Sequence, residues 1–170
     1  MRRLPLLALA LAAALAVPAV AATTTNIDVP KRFAKALPKV KAKTVVPVLL
    51  PQTMPYDGSG RLYTSSAARS RGWRLDLAAA PGCHQATACF VAEFSARRGG
   101  SVAGGRKVVL RGGRTGHFQP LSCGASCSPP SIAWRQHGAA YAIQAKVGGA
   151  QTEKRILVRM ADEAIRHGAR

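Results

Sequence analysis

Acidic residues are scarce in this sequence, which has seven Asp and Glu against 25 Lys and Arg among 170 residues and a net charge of +18. Only four acids precede the last predicted helix, and of these only Asp76 and Glu93 lie on predicted strands; the other two are Asp28 and Asp57. A hydrolase that works with paired carboxylates would therefore have almost no groups to use. The positive charge instead favours anionic partners, while it carries no direct information about the fold.

Aromatic residues and catalytic motifs are also few. Aromatic side chains make up 5% of the chain, so we expect a modest core in which Trp73 and Trp134 anchor hairpins. No serine lies in a G-x-S-x-G turn, and no glycine-rich phosphate loop leads from a strand into a helix. The four histidines are spread along the chain, at His84, His117, His137 and His167. We therefore expect no catalytic residues, no cofactor and no metal.

The first segment has the pattern of an export signal. Arg2 and Arg3 precede an apolar run from Leu4 to Val20, and small residues follow at the predicted cleavage site after Ala22. The run is too short and too rich in proline to be a typical membrane-spanning helix. We predict a signal peptide over residues 1–22 and a periplasmic or secreted product, whose net charge falls only to +16 after the two arginines are removed.

The four cysteines fall into two close pairs. Cys83 and Cys89 enclose five residues, and Cys123 and Cys127 enclose three. An even number of cysteines in an exported chain implies disulfides, and we favour the two local pairings because short flexible loops bring the sulfurs together. A zinc site formed by the four thiolates with His84 or His117 is the competing interpretation, but its spacings are not the short C-x2-C pairs of structural zinc sites.

The mature chain is long enough for one domain, residues 44–170, preceded by a basic arm over residues 23–43. In the arm, Pro30 is expected to begin a short helix that Pro38 ends. The apolar stretch Val45–Pro51 is framed by prolines and indicates an edge strand or an extended lead-in. Residues 52–61 are predicted to form a loop.

Alternating apolar residues then predict three hairpins. The first joins 73–77 to 90–94 through the first cysteine loop, the second joins 107–111 to 117–121 through Gly112 and Gly113, and the third turns at His137 and Gly138. Residues 153–165 carry a helical apolar stripe, and Gly168 lies where such a helix would stop. We predict an α+β fold in which a C-terminal helix, and a short N-terminal helix, cover an antiparallel sheet of about six strands.

The chain resembles an uncharacterised family of small exported bacterial proteins, a domain of unknown function, over most of residues 31–166. The features that carry the resemblance are the apolar stretch at 45–51, Cys83 and Cys89, the C-G-A-S-C motif at 123–127, the W-x3-G-x2-Y motif from Trp134 to Tyr141, and the closing helix around Met160–Ile165. The resemblance implies export and this type of fold, and it implies no activity.

The stretch from Ser95 to Gly116 concentrates positive charge without any acid. Its cations are the candidate anion-binding residues, Arg97, Arg98, Arg106, Lys107, Arg111 and Arg114. Arginine offers paired donors that suit phosphate and carboxylate, so we expect a non-catalytic module that binds an anionic envelope component, a polymer or a membrane surface. Two alternatives stay open: charge that serves solubility alone, and an exported inhibitor that recognises a protein partner through a disulfide-pinned loop.

Overall fold

The computed structural model describes residues 25–83, 86–102 and 104–170; the predicted signal peptide, residues 1–22, lies outside the described residues. The strands are β1 (Thr25–Asp28), β2 (Thr53–Tyr56), β3 (Tyr63–Arg69), β4 (Gly72–Ala78), β5 (Phe90–Arg98), β6 (Arg106–Leu110), β7 (Arg114–Gln119), β8 (Ser122–Cys123), β9 (Cys127–Ser128), β10 (Ser131–Gln136) and β11 (Ala139–Ala145). The helices are α1 (Val29–Arg32), α2 (Leu37–Lys43) and α3 (Glu153–His167).

Seven of the strands form one antiparallel sheet in the order β3-β4-β5-β11-β10-β7-β6. The fold is therefore α+β with a C-terminal helix, as predicted, and all three predicted hairpins are present as paired strands. The additional strand is β3, which pairs with β4 at the edge of the sheet. It lies just beyond the predicted loop, in a stretch whose residues show no apolar alternation.

The alternating strands bury one face of the sheet. Trp73, Leu75 and Leu77 of β4 point to this face, and Ile143 of β11 lies on it as well. Helix α3 covers part of the same face with an apolar stripe, whose buried members are Leu157, Met160, Ala161 and Ala164. Helix α3 is capped by Gly168, whose φ of 68° is typical of a glycine that ends a helix. The helix therefore stops where the sequence predicts.

The N-terminal segment completes this covering layer. Its cations are exposed, but Ile27, Val29, Phe33 and Val40 are buried in the same core as the sheet. The stretch that we expected to be a basic arm thus packs into the domain. Pro38 lies in the first turn of α2 and begins a helix, contrary to the expectation that it ends one, because a proline there gives up only an N–H that has no partner within the helix.

The segment from Val45 to Pro51 is an extended lead-in. Four of its apolar side chains, Val46, Val48, Leu49 and Leu50, are buried. Its backbone meets the end of the chain through a bridge between Leu49 and Ala169 and through a 3.0 Å hydrogen bond from the Arg170 N–H to the Val48 carbonyl. These contacts join the lead-in to the C-terminal residues.

We expect Phe33→Ala to lower the free energy of unfolding by about 3–5 kcal/mol, because it opens a cavity beneath the sheet. The Phe33 ring is fully buried and meets the edge of Phe94 with 6.1 Å between ring centroids. Urea denaturation measures the change. The matched control is Leu121→Ala, at a side chain that is 52% exposed, where we expect a change within about 0.5 kcal/mol. Equal effects of the two substitutions would contradict the packing of the N-terminal segment into the cooperative unit.

A second prediction concerns Tyr141, whose buried ring stacks on Trp134 with 5.5 Å between centroids. Burial raises the pKa of the Tyr141 phenol to about 12. The unfolded chain releases this proton near pH 10, whereas the folded protein keeps it. The neutral phenol therefore contributes its full share to the free energy of unfolding below pH 10, and this share is lost as the pH rises towards 12. We expect wild type to lose about 2–3 kcal/mol more than Tyr141→Phe over that interval in denaturation curves. Equal losses of stability in wild type and Tyr141→Phe between pH 10 and 12 would contradict the raised pKa of Tyr141.

Candidate functional site

The face of the sheet opposite α3 carries polar and small side chains instead of a core. This outer face is formed by the alternate residues of each strand, such as Arg74 of β4, Ser95 of β5 and Ala142 of β11, all of them partly or fully exposed. A two-residue period separates the two faces of a strand completely. The same alternation that builds the core therefore also fixes which residues can meet a ligand on the outer face.

The strand register arranges the outer face in three rows that run across the strands. The arginine row consists of Arg69, Gly72, Arg97, Ala140 and Arg135. The middle row consists of Ala67, Arg74, Ser95, Ala142 and Ala133. The polar row consists of Ser65, Asp76, Glu93, Gln144 and Ser131. Apart from Arg74, the middle row has short side chains, and it lies between a row rich in guanidinium groups and a row rich in hydrogen-bond acceptors.

A concave region of about 1240 Å³ lies over β3, β4, β5 and β11 on this face, and we call it the arginine groove. Its floor is made of short residues that include Ala67, Ser95, Ala140 and Ala142. Its cationic lining residues are Arg69, Arg71, Arg74, Arg97 and Arg98, and its acidic lining residue is Glu93. Five guanidinium groups outnumber the carboxylates of Glu93 and of Asp76, which lies 3.4 Å from Arg74, so the groove carries a net positive charge.

The connection from β5 to β6 forms one wall of the groove. The two strands run in the same direction, so the chain after Arg98 crosses the outer face to reach the far edge of the sheet. Arg135 Nη1 donates to the Gly100 carbonyl at 2.8 Å, and the Gly104 carbonyl lies 3.0 Å from His117 Nδ1. Gly100 packs close to Ala140, where a Cβ atom would come within 3.1 Å of the alanine methyl group.

The six predicted anion-binding residues do not form one patch. Arg97 and Arg98 line the arginine groove. The other four lie on the hairpin of β6 and β7 and its turn, namely Arg106, Lys107, Arg111 and Arg114. Four strand spacings of about 4.8 Å, or roughly 19 Å, separate β5 from β6. The continuous arginine tract is therefore divided between the arginine groove and the far edge of the sheet.

Two cationic side chains of the β6–β7 hairpin, Arg106 and Arg114, contact neighbouring residues of the same hairpin. The Arg106 guanidinium lies over the Phe118 ring, 5.8 Å from its centroid. Arg114 Nη1 donates to the Arg111 carbonyl at 2.9 Å, and the Arg111 backbone N–H donates to Asp162 Oδ1 of α3 at 2.6 Å. The last of these contacts joins the turn of the hairpin to α3.

Arg69, Arg71 and Arg74 supply three of the five arginines of the groove and were not among the predicted anion-binding residues. Arg69 ends β3, and Arg71 lies in the tight turn before β4. Only Arg74 stood on a predicted strand, and its position in an alternating run was the available signal. Its Nε lies 3.4 Å from Asp76 Oδ2, and the same oxygen accepts a 2.9 Å hydrogen bond from Ser65.

All four cysteines of the chain are in disulfides, Cys83–Cys89 and Cys123–Cys127, which confirms the predicted pairing. The zinc interpretation is therefore wrong for these cysteines, because disulfide sulfurs do not offer thiolates to a metal. His84 lies outside the described residues. In the described ranges, no three His, Cys, Asp or Glu side chains group together as metal ligands.

The two disulfide loops touch each other at the end of the sheet away from Arg69 and Arg97. Thr87 Oγ1 donates to the Cys127 carbonyl at 3.3 Å, and Lys146 Nζ donates to the Thr87 carbonyl. The disulfides fit an oxidising, extracellular environment. Within the part of the chain that the structure describes, no helix has the length and apolarity needed to cross a membrane.

Comparison of the chain with protein-family models, curated proteins and solved structures found no match in any of the three. The resemblance to a family of small exported proteins therefore stays a prediction.

We expect replacement of Cys83 and Cys89 by serine to cost about 2 kcal/mol of stability, because the bridge closes only a short loop. The same treatment of Cys123 and Cys127 should cost a similar amount. Denaturant unfolding of the two double variants, with intact mass before and after reduction as the check on bonding, measures this. A loss of folding on removal of either bridge would contradict the picture of loops that are pinned onto an independently stable sheet.

Proposed function

We propose that this protein is an exported, periplasmic or secreted, non-catalytic module that binds an anionic envelope component or polymer in the arginine groove. The observation that carries the proposal is the convergence of five arginines on one concave face. Among the described residues that line this face, Glu93 is the acidic one. The fixed fork of donors on each guanidinium suits phosphate and carboxylate groups. A ligand with repeated anionic groups can engage several of these arginines at once.

The distribution of charge supports a polymer or an extended surface. The chain carries a net charge of +18, and the hairpin of β6 and β7 adds a second group of cations on the far edge of the sheet. Such a field attracts polyanions from a distance and accelerates their encounter with the protein. The groove then supplies the concave contact, while the hairpin and the exposed lysines of α2 supply long-range attraction.

The composition of the groove supports binding over catalysis. Its side chains are mainly arginine, alanine and serine. Arginine stays protonated at every physiological pH and cannot exchange a proton with a substrate. We therefore assign the groove the role of holding an anion.

A second candidate function is an exported inhibitor or protein-partner module that uses the disulfide loops. The contact between Thr87 and Cys127 favours it, because this contact joins the two pinned loops into one surface. Leu121, 52% exposed, lies just before the second loop. A stoichiometric protein partner that survives moderate salt in a pull-down, and is lost when the loops are altered, would support this function.

We expect Arg71→Ala combined with Arg97→Ala to weaken binding of polyphosphate, lipopolysaccharide and acidic glycans by at least about tenfold at low salt, since two phosphate or carboxylate contacts are removed. The matched control is Arg111→Ala combined with Arg114→Ala, which removes the same charge from the opposite edge of the sheet. We expect this control to weaken binding by about threefold or less. Titrations by fluorescence anisotropy across a salt series measure both effects.

Equal losses of affinity in the two double variants would contradict the assignment of binding to the groove. The overall positive charge would then be the cause of binding. Wild-type affinity that is absent at low salt, or that does not fall as salt is raised, would contradict anion binding altogether. Thermal unfolding of each variant checks that the sheet is intact.

A further inference from the structure

One edge of the sheet, at β3, carries backbone groups that point away from the sheet. Arg69 and Gly72 face each other across a two-residue turn, and such a closing pair exchanges hydrogen bonds between its two strands. Because the pattern alternates, the N–H and C=O groups of every second residue of β3 point away from β4. These residues are Thr64, Ser66 and Ala68. In the ranges that the structure describes, no backbone hydrogen bond from another segment reaches them.

The covering of this edge stops at Val45. Its N–H donates to the Ser70 carbonyl at 3.0 Å, so the lead-in occupies the edge just beyond the end of β3. The Val45 side chain is 65% exposed, and a strand added along residues 64–68 would meet it at one end. Strand addition uses main-chain hydrogen bonds for affinity and side-chain contacts for specificity, and this edge offers both.

The two edges of the sheet differ in the features that prevent pairing with another chain. Natural edge strands are protected by charged side chains, by proline or by a bulge. The opposite edge strand, β6, begins with Arg106 and Lys107 and contacts α3. Strand β3 has no charge and no proline before Arg69, and its register with β4 is regular. The exposed side chains of residues 64–67 are short, so they leave the backbone accessible.

Cations flank the β3 edge. Arg61 precedes the strand and Arg69 ends it, and both are exposed. Helix α2 packs against β3 and carries exposed lysines, namely Lys39, Lys41 and Lys43. Neither α2 nor β3 contains an acid. A second copy of the chain would bring the same positive charges to the edge and be repelled, whereas an acidic segment would be attracted.

We propose that the β3 edge binds an extended acidic segment of a partner protein, which adds a further strand to the sheet. The backbone groups of Thr64, Ser66 and Ala68 form the hydrogen bonds to this strand. Its carboxylates meet the lysines of α2 and the arginines at the two ends of β3, and an apolar residue at its end contacts Val45. This surface adjoins the arginine groove but does not use its floor, so the inference goes beyond the proposed function.

The probe is a peptide as long as β3, seven residues of alternating Glu and Val. We expect wild type to bind it, and to bind the same peptide with every backbone amide N-methylated at least about tenfold more weakly. The methylated peptide keeps its charge and loses its backbone donors. Fluorescence anisotropy titrations of the full mature chain at one fixed salt concentration measure both affinities.

A substitution at the centre of the edge tests the same contact from the side of the protein. Ser66→Pro removes an N–H that points away from β4, so the sheet keeps its own hydrogen bonds. We expect this variant to bind the unmethylated peptide at least about tenfold more weakly. The matched control is Ser66→Thr, which keeps the N–H and should change the affinity by no more than about twofold.

The contribution of charge is measured separately. We expect Lys43→Gln to weaken peptide binding by about threefold, because an exposed ion pair beside the edge is lost. Lys154→Gln removes the same charge from α3, which covers other strands of the sheet, and we expect no measurable change. Equal effects of the two substitutions would contradict the role assigned to the cations beside β3.

Equal affinity of wild type for the methylated and unmethylated peptides would overturn the inference, since charge alone would then explain binding. A wild-type dimer in sedimentation that Ser66→Pro dissociates would overturn it in favour of a second copy at this edge. The methylated peptide decides the question on wild type if Ser66→Pro does not fold. Wild type that binds the peptide but not polyphosphate would contradict the proposed function and leave this inference in place.

Discussion

The burial of one face of the seven-stranded sheet is the constraint on which the rest of this structure depends. Trp73 of β4, Tyr141 of β11 and Trp134 of β10 form a group that spans four neighbouring strands, with successive ring centroids 6.4 and 5.5 Å apart. The Pro47 carbonyl accepts from both Trp73 Nε1 and the Tyr141 hydroxyl at 3.2 Å. This arrangement fixes the covering layer to the centre of the sheet. A slip of one residue in β4, β10 or β11 would move one of these rings to the outer face, so the register of these strands is strongly specified.

The sequence predicts those parts of the fold that are set by local alternation. β4, β5, β10 and β11 each bury one face, and their patterns are clear. β3 is an edge strand whose residues are mostly exposed on both faces, so its sequence carries no period of two. The position of Arg69, one of the three arginines of the arginine row, therefore could not be predicted.

The candidate site was harder to predict because it depends on the order of strands. Arg97 and Arg106 are nine residues apart in the sequence, and an uninterrupted tract without acids suggests one surface. The chain crosses the outer face between them, which brings Arg97 next to Arg69 and Arg71 and carries Arg106 to the opposite edge. Proximity in space here follows from pairing between distant strands, and no local pattern contains that information.

The alanines of the outer face can be explained by the packing of the core on the other side of the same strands. Alanine is a weak strand former, and Ala140, Ala142 and Ala133 lie in the two central strands, where strand preference ought to be strongest. The opposite side of the same strands carries Tyr141, Ile143, Ile132 and Trp134, all of them buried. These residues have high strand preference and supply the packing that holds β10 and β11 in place. Because packing on the core face is sufficient to hold these strands, their outer face can carry short side chains. These short side chains form the shallow floor of the arginine groove.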